Sequence, residues 1–424
     1  MAGLDETDEV IWLPMPAGET SLPVAQNGRS KRFSPHLFIA ILLVVHLVIC
    51  LTILSKNASN PKTSDRLVSS DSVHYVDIAN EFARGDFSMG YVRERPHRQP
   101  LYPALLAVAA KIGNGDRFFL GVVNVLLASA SILAIYVLVT KLNESWLAAW
   151  VAALGLAANP FMDRLITARL LTEPTHLLMT LFAIYCFLRY LRDQKRGWLF
   201  SCAFWAGLDY LARPNGLFMA VTALGTLALA DLLNCRESLA KGISFPRWLG
   251  GFLGSYLLAG VIFLVVASPS WVPRLIYYGE PFHHGYLENF MWVDTYAAGH
   301  VGESYPTYTW RDYVEHHNLY DVVGRIWHGL RNVYFRIPIT MERAPILYLL
   351  ALGGAYVALR RGLKEYSFLL LFLFLQLAPL VWTNLANPTA RVPYGSTLPF
   401  ELFLAGLFVA WFLKTRWVRS RFAS

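Results

Sequence analysis

The feature that most constrains this chain is a series of apolar runs about 17 to 23 residues long, the length a helix needs to cross roughly 30 Å of hydrocarbon. Backbone polar groups in lipid must pair within their own segment, so each run has to be helical. Composition agrees. Of 424 residues, 55% are hydrophobic and 16% charged, against about a quarter charged in soluble domains. The mean hydropathy is +0.40. The runs lie near 37–54, 118–140, 146–162, 174–190, 197–211, 215–234, 248–269, 345–359, 366–382 and 398–413. The expected fold class is therefore an all-α integral membrane protein with about ten transmembrane helices.

The basic residues orient it. With a cytoplasmic amino terminus, the inside segments and span ends hold 18 Lys and Arg residues, whereas the short outside connections hold four: Arg164, Arg169, Arg213 and Arg391. This bias places both termini in the cytoplasm of a multi-pass cell-membrane protein. Two long outer loops, 55–117 and 270–344, hold most of the non-membrane mass, and loops of that length are usually functional. Residues 1–36 read as a disordered cytoplasmic tail, 37–415 as the transmembrane domain and 416–424 as a basic cytoplasmic tail. The first apolar run starts too far in for a simple cleaved leader and reads as a retained anchor. Asn57-Ala58-Ser59 is an outer-side sequon, relevant only in a glycosylating host.

The net charge of +8 does not imply nucleic acid, because the basic residues sit in short clusters between apolar runs. Cys50, Cys186, Cys202 and Cys235 lie within or at the end of those runs. They read as packing residues rather than a disulfide framework or a thiolate metal site. The adjacent pairs His283-His284 and His316-His317 do not share a helical face, which argues against metal ligation.

Candidate chemistry gathers on the outer side. In the first loop, Tyr75, Ile78, Ala79, Phe82 and Ala83 recur at helical spacing, with Asp77, Glu81 and Arg84 toward the other face. The pattern predicts an amphipathic helix on the membrane surface, opened by Ser70 and Asp71 and ended by Gly85. Asp71 fits two compatible roles, a helix N-cap and a carboxylate that accepts a proton. Arg93, Arg95, His97, Arg98 and Gln99 precede Pro100-Leu101-Tyr102-Pro103 and read as a solvated turn or as an anion site for phosphate. Glu173 stands before Pro174 at the start of an apolar run. It reads as a helix-dipole acid or as a second functional acid at the membrane surface. Arg213 and Arg391, in outer turns, read as snorkelling cations or, with Arg98 and Arg169, as the lining of an anionic-ligand pocket.

At these residues the chain resembles the C-type glycosyltransferases (the GT-C superfamily) that use polyprenyl-phosphate sugars, such as protein O-mannosyltransferases and lipid A aminoarabinose transferases. The resemblance runs over about 37–415. It rests on Asp71, Tyr75, Ala79 and Gly85, then Pro100-Leu101-Tyr102-Pro103 and Thr172-Glu173-Pro174. Arg213-Pro214 with Gly216, Trp271/Pro273/Arg274 leading to Gly279-Glu280-Pro281, and Arg391 complete it. In one departure, Ser72 follows Asp71 where many relatives have a second acid.

The resemblance implies a sugar transferase in the cell envelope. It implies a polyprenyl-phosphate-linked sugar donor and a lipid, glycan or protein acceptor, met on the non-cytoplasmic face among membrane lipids. It casts Asp71 as general base, with inversion at the sugar. Glu173 orients the acceptor or holds a divalent metal, and metal use itself stays open because of Ser72. Tyr75, Arg98, Tyr102, Arg169, Arg213 and Arg391 become the substrate-binding candidates. The competing readings are a secondary transporter, against which stands the lack of paired half-repeats with matching broken helices, and an inactive membrane scaffold.

Overall fold

The computed structural model describes residues 35–68, 71–143, 145–300, 307–341, 345–386 and 391–414. The tails expected at either end lie outside these residues, apart from the first helical positions, as does Ser70. Among the described residues there are helices and no strands. The labels used below are α1 (Pro35–Ser59), α2 (Asp71–Ala83), α3 (Leu101–Ile112), α4 (Arg117–Asn143), α5 (Trp146–Ala157), α6 (Pro160–Thr167) and α7 (Glu173–Asp193). They continue with α8 (Arg196–Ala212), α9 (Gly216–Leu233), α10 (Phe245–Tyr278), α11 (Leu319–Leu330), α12 (Pro345–Arg360), α13 (Lys364–Thr383) and α14 (Arg391–Lys414).

Each expected span coincides with a helix, but they are not equivalent. Seven, namely α1, α4, α7, α9, α10, α13 and α14, are long and apolar enough to cross a membrane. The other three, α5, α8 and α12, have 12, 17 and 16 residues, so ten full crossings are not established by length. Small residues explain how the short helices fit. Ala148, Ala149, Ala152 and Ala153 of α5 are fully buried, where α5 meets α4 and α14. Lipid offers no hydrophobic drive for helices to associate, so close backbone approach through small side chains supplies the contact. At Gly354 of α12 the approach is closest, since a Cβ there would overlap the Leu404 carbonyl of α14.

The two long loops are ordered pieces rather than linkers. The first folds into α2 and α3, which pack on each other. Ser72, Tyr75, Ile78, Ala79 and Phe82 form the buried stripe of α2, as the periodicity predicts. Gly85, at φ +85°, turns the chain away just beyond the helix, a conformation that glycine adopts without strain. In the second loop α11 rests on α13, where a Cβ at Gly329 would overlap the Val381 carbonyl.

The boundary that differs most from expectation is the end of α10. The span expected to end at 269 continues to Tyr278, giving α10 34 residues, about 51 Å of helix at 1.5 Å per residue. Its last two turns carry Ser270, Arg274 and Tyr278 at a spacing of four, hence on one face. That face grips the first loop. Arg274, fully buried, donates through Nε to the Pro96 carbonyl at 2.9 Å and through Nη2 to the Arg98 carbonyl at 3.1 Å. Ser270 Oγ donates to Gln99 Oε1 at 2.6 Å, and Tyr278 Oη to the Arg93 carbonyl at 2.6 Å.

Candidate active site

Both loops face one cavity of about 510 Å³. From the first loop come Asp71, His74, Tyr75, His97 and Arg98. Thr172 and Arg213 arrive from the starts and ends of α7 and α8. The second loop adds His284, Tyr286, Glu288 and His300, and α13 closes the lining with Pro379, Leu380 and Thr383.

Arg98 organises the first-loop wall. Its Nη2 donates to Asp71 Oδ1 at 2.7 Å, its Nη1 to Tyr75 Oη at 3.0 Å and its Nε to His74 Nδ1 at 3.2 Å. Asp71, His74 and Tyr75 reach one guanidinium because positions i, i+3 and i+4 share a helix face. The guanidinium also lies 4.9 Å from the centroid of the Tyr75 ring. Arg98 is buried while Asp71 is about a quarter exposed, so the pair is neither dry nor freely solvated.

Three imidazoles of this cavity, His74, His97 and His284, are pushed below their ordinary pKa. Burial, and then the charges of Arg98 and Arg95, push His74 below its ordinary pKa. Burial followed by Arg98 pushes His97 well below it. His284 is driven the same way by burial and then Arg274. Both ring nitrogens of His97 and of His284 lack a hydrogen-bond partner among the described residues. Buried polar atoms without partners are uncommon and invite a bound ligand or water.

Glu173 stands behind the wall rather than in it. It is the first residue of α7, 2% exposed, and its Oε1 lies 2.9 Å from Nη1 of Arg213. One turn deeper, His176 Nδ1 and Asp209 Oδ1 are 2.6 Å apart and fully buried. Glu173 and His176 stand three apart on α7, Asp209 and Arg213 four apart in sequence at the end of α8, so the Glu173–Arg213 ion pair and the His176–Asp209 hydrogen bond stitch these helices together at one end. At the opposite end Asp231 accepts from Tyr190 at 2.6 Å and Tyr256 at 3.1 Å, with Arg196 at 3.3 Å.

Of the candidates from sequence, Asp71, Tyr75, Arg98 and Arg213 line the cavity. Glu173 reaches it only through Arg213. Tyr102 does not line it: it is buried behind Tyr75, their rings edge to face at 5.3 Å, and donates to Asn124 Oδ1 at 2.9 Å. Arg169 is exposed and also outside the lining, while its carbonyl accepts from Asn124. The backbone of Arg391 opens α14, but its side chain lies outside the described residues. Sequence reasoning missed His74 and Tyr286 as cavity residues, placed His97 only within the basic turn, and weighed His284 only as a metal ligand. His74 was legible as one turn from Asp71, whereas His284 enters through a loop that carries no periodic signal.

Neither Asp71 nor Glu173 belongs to a group of three metal-ligating side chains among the described residues. The group that exists is His46, Cys50 and Asp163, none of which lines the cavity.

Residues 95–272, under half of the chain, match the family model for dolichyl-phosphate-mannose-protein mannosyltransferases. No curated protein sequence matches the chain. Among solved structures it is similar to an oligosaccharyltransferase of Archaeoglobus fulgidus crystallised with zinc and sulfate, at 14% identity and a TM-score of 0.43 over 88% of this chain. It spans 51%, about half, of that protein. It is also similar to ArnT from Cupriavidus metallidurans in the apo state, at 14% identity and a TM-score of 0.41, covering 88% of this chain and 77% of that one.

Proposed function

We propose that the chain is a membrane glycosyltransferase that moves a sugar from a polyprenyl-phosphate carrier to an acceptor hydroxyl or amine on the non-cytoplasmic face. The observation that carries this reading is the junction of Asp71, Arg98 and Arg213 on one cavity. A carboxylate that takes a proton and guanidinium forks that match phosphate are the groups such a transfer needs.

The acceptor heteroatom attacks the anomeric carbon opposite the phosphate oxygen. The new bond forms as the sugar–phosphate bond breaks, its electron pair leaves on the polyprenyl phosphate, and the anomeric centre inverts. Asp71 takes the acceptor's proton. Arg98 and Arg213 offset the charge growing on the departing phosphate, a preorganised electrostatic contribution. Glu173 acts through Arg213 as a positioning residue. His97 and His284, neutral and with unpartnered nitrogens, offer hydrogen bonds to sugar hydroxyls. Phe218, Leu287 and Leu380 give the cavity an apolar side for the first isoprene units.

Arg98 pairs with Asp71 at 2.7 Å, so a donor phosphate that engages Arg98 meets the guanidinium that also holds the proposed base. The sidedness rests on the charge bias of the short connections, and the 95–272 match supports the sugar-transfer class. The test is transfer from a lipid-linked sugar in membranes carrying Asp71→Asn. Loss of transfer with normal protein levels supports the assignment, and wild-type rates would remove Asp71 as the base.

A further inference from the structure

We propose that His46, Cys50 and Asp163 form a binding site for a divalent transition ion of the zinc type, separate from the cavity and independent of the sugar-transfer reading. His46 and Cys50 stand four apart on α1, hence on one face, and both are buried. Asp163 is delivered against that face by α6. The Asn57 side-chain amide donates to the Thr167 carbonyl at 2.9 Å and ties the end of α1 to the end of α6. One donor atom from each of the three residues lies within 4.8 Å of the others.

The hydrogen bonds fix which nitrogen is available. Ser129 Oγ donates to the Val125 carbonyl at 2.8 Å, so toward His46 Nδ1, 3.2 Å away, it accepts. Nδ1 therefore carries the ring proton, and Nε2 presents its lone pair to Cys50 Sγ at 3.5 Å. Orientation of a ligating imidazole by a partner on its other nitrogen is the usual outer-shell device of metal centres. The spacing also fits. With Zn–N of about 2.05 Å and Zn–S of about 2.3 Å, a tetrahedral angle separates nitrogen and sulfur by about 3.6 Å.

Charge favours the same occupant. A thiolate and a carboxylate neutralise a dication, which makes the site tolerable in an apolar surround. Among the described residues no hydrogen bond or ion pair reaches the Asp163 carboxylate, and the neighbouring Arg164 is exposed. A Cys50–His46 hydrogen bond alone would account for two of the three residues and leave Asp163 without a role. Mixed sulfur, nitrogen and oxygen ligands suit zinc and cobalt rather than magnesium or calcium. Cys50, Cys186 and Cys202 are all buried, as the packing reading expects, and the proposed site adds a ligand role for Cys50 alone.

The test is cobalt(II) titration of the full chain in detergent, read by the thiolate-to-cobalt charge-transfer absorption, with metal content measured in parallel. The expected result is about one equivalent of metal and a band that persists when Cys186→Ser, Cys202→Ser and Cys235→Ser are combined. That variant leaves Cys50 as the sole thiol, so the assignment holds even if Cys50→Ser fails to fold. Asp163→Asn and His46→Gln should each weaken binding at least about tenfold. No band in the wild type, or a band lost in the triple variant, overturns the proposal.

Discussion

Arg98 Nη2 stands 2.7 Å from Asp71 Oδ1, so the cation assigned to the donor phosphate also holds the proposed base. Lysine cannot replace it, because a point charge cannot reach Asp71, Tyr75 and a phosphate together. Arg98→Lys should lower transfer by about 10²-fold or more, with a raised KM for the lipid-linked donor. Initial rates in membrane preparations measure both. Wild-type kinetics would remove Arg98 from the phosphate site.

Glu173→Gln should destabilise the protein. It leaves the buried Arg213 guanidinium without its 2.9 Å carboxylate partner, and breaking a buried pair costs about 3–5 kcal/mol. Thermal unfolding in detergent reads this as a lower midpoint, with Glu173→Asp falling between the variant and wild type. An unchanged midpoint would mean that water already solvates Arg213.

Acid should weaken the fold through three histidines. His74, His97 and His284 are held below their ordinary pKa in the folded chain by burial, assisted by nearby cations. Between the unfolded value of about 6.5 and those depressed values, the unfolded chain binds more protons. Their contribution to stability is therefore full above about pH 6.5 and is lost as pH falls below it. The unfolding midpoint should drop across that window, and less steeply in His97→Gln. Equal slopes would exclude His97 as a contributor.

Two residues that the resemblance offered for substrate binding should prove dispensable for transfer. Tyr102→Phe removes one buried hydrogen bond, to Asn124, at a cost of about 1 kcal/mol. Arg169→Gln alters an exposed side chain. Both should retain transfer within about twofold of wild type, since neither side chain lines the cavity and an exposed change such as Arg169→Gln stays near about 0.5 kcal/mol. A KM effect confined to the donor would return either residue to the site.

What could be read beforehand follows periodicity. The apolar runs located every long helix, because lipid leaves the backbone no alternative. The stripe of Tyr75, Ile78, Ala79 and Phe82 located α2 for the same kind of reason. Asp71, Arg98 and Arg213 could be singled out because a charge beside hydrocarbon needs explanation. His284 and Tyr286 could not, since tertiary packing rather than local pattern brings the second loop to the cavity. Nor could the burial of Glu173: only the fold shows that Arg213, forty positions away, meets it. Arg169 was grouped with the other outer-side arginines, and its exposed side chain lies outside the cavity lining, a placement that no charge count can give.

The extension of α10 to Tyr278 makes one continuous helix both a membrane crossing and the clamp on the loop that carries Arg98. Its depth is therefore a mechanical setting for the cavity wall that carries Arg98. In a thinner or thicker bilayer this long helix must tilt or slide to match its apolar length. Arg274 and Tyr278 would then carry residues 93–98 with them. Lipid thickness becomes a variable of the proposed transfer, transmitted as a displacement of Arg98 relative to Asp71 on α2.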